Sequence, residues 1–267
     1  MLTGATRLVG IIGNPVSHSL SPQMQNAAFA ACDLDWAYVP LPVEAARLPH
    51  ALAGLVSLGF AGANVTIPHK TAVLALCDCV DDVARRAASV NTLVVRDERI
   101  AGSSTDGVAV TGVVETTGAE ALVLGAGGAA QAVATALVDA GVSSLSVAAR
   151  RSDGAGALLR HLRELSSQVN LRVENWPPAS TSATLVVNAT PLRGDLVLAP
   201  RPGQQIVDLA YRTDGEPTAL VAAALAAGCD VVIDGLEVLV RQGAASFQRW
   251  TGLEAPVEVM RAAVRSA

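Results

Sequence analysis

Apolar residues along this 267-residue chain fall in short runs closed by glycine or proline, separated by longer stretches with helical spacing. The run at 8–12, Leu-Val-Gly-Ile-Ile, ends at Gly13-Asn14-Pro15 and predicts a buried strand. Ser21-Pro22 predicts a helix start, with the serine as cap and the proline at the first helical position, and the helix runs from 23 to about 32. A second strand is predicted at 36–41, a helix over 45–58, and a third strand over 62–67, closed by Pro68. Residues 74–88 read as mostly helical and 89–95 as strand. A second series starts near Asp106: a helix over 108–116, a strand at 121–124, a loop at 125–128 and a helix to 140. Strands follow at 145–148, 185–188, 205–209 and 230–233, then amphipathic helices over 235–250 and 256–264. Alternating strands and helices predict an α/β protein with largely parallel sheets, the second series in the order of a doubly wound nucleotide-binding sheet.

The chain is 51% hydrophobic and 16% charged, which suits a folded protein and not a disordered one. A formal net charge of −5 gives no reason to expect nucleic acid as a partner, whose binders usually carry a basic patch. Cys32, Cys77, Cys79 and Cys229 form no C-x-x-C pair; buried free thiols and a reducing cytoplasm are the expectation. The histidines His18, His50, His69 and His161 have no ligand spacing, so no metal is expected. The N-terminus has no signal-peptide anatomy. Residues 121–138 lack charge, but the Gly-Ala-Gly-Gly within them reads as strand, turn and helix, and no membrane partner is expected.

The loop Gly125-Ala126-Gly127-Gly128-Ala129-Ala130 lies between a strand and a helix, the setting of a dinucleotide site. Gly125 permits the tight turn, Gly127 allows backbone approach to a pyrophosphate, and Ala130 allows close packing of helix on strand. The helix N-terminus then offers free N–H groups and a favourable dipole to phosphate. About twenty residues on, where NAD sites place an acid, stand Ala149-Arg150-Arg151-Ser152. Two guanidiniums suit a ribose 2′-phosphate, so NADP is expected, the alternative being solvated surface arginines. Lys70 can donate a proton and polarise a carbonyl, and Asp106 can orient an amine. In isolation these two read rather as a surface lysine and a helix N-cap.

Their flanking residues resolve the choice. Gly13-Asn-Pro-Val-Ser-His-Ser-Leu-Ser-Pro22, Asn64-Val-Thr-Ile-Pro-His-Lys70, Ala88-Ser-Val-Asn-Thr92, Thr105-Asp106-Gly107, the glycine loop, Asn188-Ala-Thr-Pro191 and the segment 235–242 follow one another in order. With them the chain resembles the shikimate dehydrogenase family along nearly its whole length. The resemblance implies two α/β domains around a cleft: a mostly parallel substrate domain, residues 1–105 plus 240–267, to which the C-terminal helices return, and a Rossmann-type NADP domain, residues 106–239. It implies reduction of 3-dehydroshikimate to shikimate with NADPH, by a monomer or homodimer. Lys70 and Asp106 match the family's catalytic pair. Ser19, Ser21, Thr66, Asn91, Thr105, Tyr211 and Gln242 match positions that bind or border the substrate. Gly125, Ala126, Gly127, Gly128, Ala129, Arg150, Arg151, Ser152, Asn188, Ala189, Thr190, Leu209 and Gly235 match the cofactor positions.

Departures from the family pattern are Gln25, Ser104, Ala149, Arg151 and Val238. Gln25 stands in place of a histidine and bears on packing. Ser104 replaces an asparagine before the Thr-Asp pair and bears on how the aspartate is held. A quinate-oxidising or aminated-substrate relative would share Lys70 and Asp106; a non-catalytic binding protein on the same fold should have lost one of them. No G-x-S-x-G elbow accompanies His18 and its flanking serines, so a hydrolase is excluded. Two chain crossings, near Asp106 and near Gly235, predict hinge closure over NADP and substrate. Small-angle scattering should then show a smaller radius of gyration with both ligands added; an unchanged radius contradicts closure.

Overall fold

A computed structural model gives the fold over residues 2–266; residues 1 and 267, the outer ends of the expected substrate domain, lie outside the described residues. The first apolar run is β1 (Arg7–Gly13), whose last five residues are buried. It leads to α1 (Ser21–Ala31). Leu20 occupies the N-cap position, with φ −85° and ψ −2°, so Ser21 is the first helical residue and not the cap that the Ser-Pro pair predicts. Ser19, one residue before the N-cap, accepts the Ser21 N–H on its Oγ at 3.2 Å. Proline lacks an N–H and is tolerated throughout a first turn, so it does not decide which neighbour caps.

The chain continues through β2 (Trp36–Pro42), a 3-10 turn (Ala45–Arg47), α2 (Leu48–Ser57) and β3 (Gly62–Val65). The helix predicted over 74–88 is broken up. A 3-10 turn (Ala72–Leu76) is followed by the two-residue strand β4 (Cys79–Val80) and α3 (Asp82–Ala87). Tertiary pairing overrides helical spacing here. Asp78 exchanges backbone and side-chain hydrogen bonds with Ile100, and the Asp81 carboxylate accepts the Ala84 N–H at 2.8 Å, starting a new helix. The hairpin β5 (Thr92–Arg96) and β6 (Arg99–Ser103) completes this region; the pattern predicts only its first strand.

Next come α4 (Asp106–Thr111), which begins and ends earlier than the predicted helix, β7 (Glu120–Leu124), α5 (Gly128–Asp139) and β8 (Ser144–Ala148). Then follow α6 (Ser152–Leu165), β9 (Asn170–Glu174), β10 (Leu185–Asn188), β11 (Gln205–Asp208), α7 (Ala219–Ala227) and β12 (Val231–Ile233). The last helices are α8 (Gly235–Thr251) and α9 (Val257–Arg265). The spacing of apolar residues predicts none of α6, β9 and α7.

The chain divides into two compact units, Met1–Thr105 with Leu239–Ala267, and Asp106–Val238. The first holds a six-stranded sheet ordered β2-β1-β3-β5-β6-β4. It is mixed: β1–β2, β1–β3 and β4–β6 are parallel, while β5 runs antiparallel to both β3 and β6. Leu48, Leu52 and Leu55 of α2 pack with Ile12, Val65 and Leu93. Phe29 of α1 stacks on Phe247 of α8 with ring centroids 5.5 Å apart, and the Trp250 Nε1–H donates to the Leu93 carbonyl at 2.8 Å.

The second unit holds a sheet ordered β12-β11-β10-β7-β8-β9, parallel throughout. Side chains along β7 alternate between two cores. Val123 joins Val133 and Leu137 of α5 and Leu158 of α6, while Leu122 and Leu124 join Leu220 and Ala224 of α7. Strands covered on both faces read as continuous apolar runs, which is why this sheet stands out in the sequence. Its order reverses between β7 and β10, the switch point where such sheets bind ligands beyond the strand C-termini.

The four thiols are free; Cys32, Cys77 and Cys229 are half-buried and Cys79 is exposed, so the expectation of buried cysteines fails. Cys77 and Cys229 pack only at the margin of a core in their respective units, Cys32 follows the end of α1, and Cys79 lies on the edge strand β4. Among the described residues no helix is long and apolar enough to cross a membrane, and no cluster of three or more His, Cys, Asp or Glu residues could hold a metal ion.

Candidate functional site

In the first unit the candidate residues gather on loops beyond strand ends. Ser19, half-buried, and Ser21, buried, lie where β1 passes into α1. Thr66 follows β3 and its N–H donates to the Ile12 carbonyl at 2.8 Å. His69 fixes the loop that carries Lys70. Its ring is buried, its Nε2 donates to the Val43 carbonyl at 2.7 Å, and its backbone bonds to Thr66 and Val73. The Lys70 carbonyl accepts the Val90 N–H at 2.8 Å, tying this loop to the segment that carries Asn91.

Asn91, Thr105 and Gln242 are brought together, although 151 positions separate the first from the last. The Asn91 Nδ2 donates to Thr105 Oγ1 at 2.9 Å, and its Oδ1 accepts the Thr105 N–H at 2.9 Å. The Thr105 hydroxyl also reaches the Gln242 carbonyl, at 3.1 Å. Beneath this group lies Asn64, to which the motif reading gives no role. Its Nδ2 donates to the Asn91 carbonyl at 3.0 Å and to Ser246 Oγ at 2.9 Å, and its Oδ1 accepts the Tyr38 hydroxyl at 2.9 Å. Thr92 Oγ1 and Ser246 Oγ are 2.8 Å apart and close the network. Asn64 opens the very motif that ends at Lys70, so its position was visible in the sequence while its partners were not. Gln25 is fully buried and donates to the Gly243 carbonyl at 2.9 Å, joining α1 to α8.

Asp106, 5% exposed, is the first residue of the second unit, whereas Lys70 belongs to the first. Ser104 Oγ is buried with no hydrogen-bond partner among the described residues, so the serine supplies no bond to hold the aspartate.

In the second unit the candidate cofactor residues line the ends of adjacent parallel strands. The Gly125 N–H donates to the Ala148 carbonyl and the Ala189 N–H to the Leu124 carbonyl, each at 2.8 Å. Gly125 has φ +112°, and a Cβ there would meet the Ala189 carbonyl oxygen at 2.9 Å, so glycine is required. A Cβ on Gly127 would meet nothing within 4 Å, leaving the N-terminus of α5 open above Gly128 and Ala129. Arg150, Arg151 and Ser152 are exposed at the turn from β8 into α6. The first turn of that helix brings Gly154 against Ala126, where a Cβ would lie 3.5 Å from the alanine methyl. The arginine pair therefore begins beside the glycine loop.

Asn188 ends β10, and its Oδ1 accepts the N–H and the hydroxyl of Thr190 at 3.0 and 2.7 Å. The Leu209 N–H donates to the Asn188 carbonyl at 2.8 Å. Gly235 packs against this end of β11: a Cβ there would lie 2.2 Å from the Ala210 carbonyl oxygen and 3.0 Å from that of Leu209. Tyr211 is half-buried, with the Arg193 guanidinium 6.0 Å from its ring centroid. Asp208, also without a role in the motif reading, is fully buried between these segments. Burial, with a smaller push from the charge of Asp234, outweighs the hydrogen bonds from Thr218, the Ala210 N–H and Asn188, and leaves its carboxyl raised to about 6.

These environments generate two predictions. Asn64→Leu removes three buried hydrogen bonds, to the Tyr38 hydroxyl, the Asn91 carbonyl and Ser246 Oγ, and should lower unfolding free energy by about 2–4 kcal/mol in urea titration; a loss under about 1 kcal/mol contradicts a cooperative network. Asp208 is raised in the folded state, so its contribution favours folding below its unfolded value of about 4 and is lost as pH rises through about 6. Asp208→Asn removes this titration. Relative to the wild type, its stability should therefore improve by about 2–3 kcal/mol between pH about 4 and about 8. A pH-independent difference sinks the assignment.

Known proteins resemble both units. A family model described as the shikimate dehydrogenase substrate binding domain matches residues 11–93, and one described as the shikimate 5′-dehydrogenase C-terminal domain matches 235–265. The shikimate dehydrogenase (NADP(+)) of Anaeromyxobacter sp. strain Fw109-5 is 46% identical, over 99% of this chain and 98% of its own. Among solved structures, shikimate dehydrogenase from Aquifex aeolicus superposes with a TM-score of 0.89 at 30% identity, over 99% of this chain and 100% of its own. Shikimate 5-dehydrogenase from Thermus thermophilus, in complex with NADP(H) and shikimate, superposes with a TM-score of 0.83 at 34% identity, over 97% of this chain and 99% of its own.

Proposed function

The chain belongs to the shikimate dehydrogenase family, and on that premise we propose that it catalyses the reversible NADP-dependent reduction of 3-dehydroshikimate to shikimate. The observation that carries this reading is the 46% identity over nearly the whole chain to a shikimate dehydrogenase (NADP(+)). The unit Met1–Thr105 with Leu239–Ala267 holds the substrate, and the unit Asp106–Val238 holds NADP.

The second unit fits the cofactor. Open space above Gly127 admits a pyrophosphate against the first N–H groups of α5, and the exposed Arg150 and Arg151 can take the 2′-phosphate with Ser152. Gly125, Ala126, Gly128, Ala129, Asn188, Ala189, Thr190, Leu209 and Gly235 complete the seat. Bound NADPH supplies the hydride that reduces the ketone carbon. Lys70 donates the proton to the ketone oxygen, and Asp106 orients the substrate and the amine. Ser19 and Ser21 hold the substrate carboxylate. Thr66, Asn91, Thr105, Gln242 and Tyr211 hold the ring. Their fixed orientation removes entropy from the barrier in advance, and the hydrogen bonds among Asn91, Thr105 and Gln242 support that role. Free thiols suit a reducing cytoplasm, where the protein acts as a monomer or homodimer.

The test follows reduced nicotinamide by absorbance with shikimate or quinate and NADP or NAD. Shikimate with NADP should be the fastest pair. Lys70→Ala should lose about 100-fold or more in kcat. Replacing both Arg150 and Arg151 by Ala should raise the KM for NADP about tenfold or more while leaving that for NAD nearly unchanged. Faster turnover of quinate or with NAD moves the protein to the quinate-oxidising branch.

A further inference from the structure

Asp208 touches three segments that are separate in the chain. Its Oδ1 accepts the Asn188 Nδ2–H at 2.8 Å and the Ala210 N–H at 2.9 Å, and its Oδ2 accepts the Thr218 hydroxyl at 2.5 Å. A carboxylate offers acceptors only, so it dictates which end of the neighbouring amide faces it. With Nδ2 committed to Asp208, Asn188 turns its Oδ1 toward Thr190, where it accepts both the N–H and the hydroxyl. An inverted amide would set oxygen against oxygen at Asp208 and N–H against N–H at Thr190, losing both contacts. The Ala210 bond pins the turn from Leu209 to Tyr211 in the same way. Both segments reach the glycine loop or its neighbours, for Ala189 closes on Gly125 and the Leu209 and Ala210 carbonyls close on Gly235.

We infer that Asp208 is a positioning residue: through Asn188 and Ala210 it holds the 188–190 and 209–211 segments in the shape that receives NADP, without touching the cofactor itself. This rests on the NADP reading above. The requirement is for shape rather than charge. An asparagine at 208 keeps both Oδ1 acceptances and turns its amide N–H to Thr218 Oγ1, whose hydroxyl can rotate to receive it.

The experiment titrates NADPH into the full-length protein, following its fluorescence, alongside steady-state kinetics and thermal melting. Asp208→Ala should weaken NADPH binding about tenfold or more and raise the KM for NADP alike, while kcat at saturation and the KM for shikimate move less than about threefold. Asp208→Asn should recover most of the lost affinity. If the alanine variant does not fold, Thr218→Val, which removes the Oδ2 partner together with the hydroxyl that caps α7 at the Val221 N–H, should weaken NADPH binding about two- to fivefold. Three results overturn the inference: a folded Asp208→Ala with a lower melting temperature but unchanged NADPH affinity, an Asp208→Asn as impaired as the alanine, or a folded Thr218→Val with unchanged affinity. A wild-type protein that binds no NADPH overturns the cofactor reading itself, whereas wild-type binding with an unaffected alanine variant overturns this inference alone.

Discussion

A polar side chain taken out of water must find its hydrogen bonds inside the protein. That constraint shapes both units. Asn64 in the first and Asp208 in the second are almost wholly buried, and each is satisfied by groups from at least three separate stretches of chain. Because a buried donor or acceptor left unpaired costs more than a typical bond contributes, such a hub permits one arrangement of its neighbours and penalises the rest. The loops that carry Asn91 and Thr190 are therefore ordered from beneath rather than by their own sequences.

The sheets explain why those loops lie where they do. Parallel strands bring all their C-termini to one edge, so β7, β8, β10 and β11 present residues 125, 149, 189 and 209 side by side. Reversal of strand order between β7 and β10 opens the place that the glycine loop borders. The first unit reaches a comparable result with a mixed sheet. The hairpin of β5 and β6 returns the chain so that Asn91 and Thr105, on either side of it, meet. The helix α8, far along the sequence, then adds Gln242 and Ser246 to the same group.

Much of the second unit could be read directly. Its central strands are continuous apolar runs, and the glycine loop carries its own backbone requirement at Gly125. Motifs such as Asn64 to Lys70, whose order along the chain marks the family, carry the candidate residues of the first unit. Less was visible where local preference and tertiary pairing disagree. Residues 74–88 have helical spacing, yet β4 forms because Asp78 and Asp81 find partners on β6 and at the start of α3. Ser21 sits before a proline as a cap would, yet the hydroxyl that takes the backbone N–H belongs to Ser19. In both cases the deciding bond involves a choice among several nearby polar groups that composition and spacing do not rank.

By itself the sequence determined the alternation of strands and helices, the glycine turn, the charge at the end of β8 and the family to which the chain belongs. These depend on residue type and short spacing, which hold before any long-range contact forms. Only the tertiary structure decided that Asn64 meets Ser246 across 182 positions, that Asn91 meets Gln242 across 151, and that Asp208 sets the orientation of Asn188. A hydrogen-bonding group carries no record in the sequence of which distant partner will satisfy it. That partner is chosen when the apolar cores close and leave one set of donors and acceptors within reach.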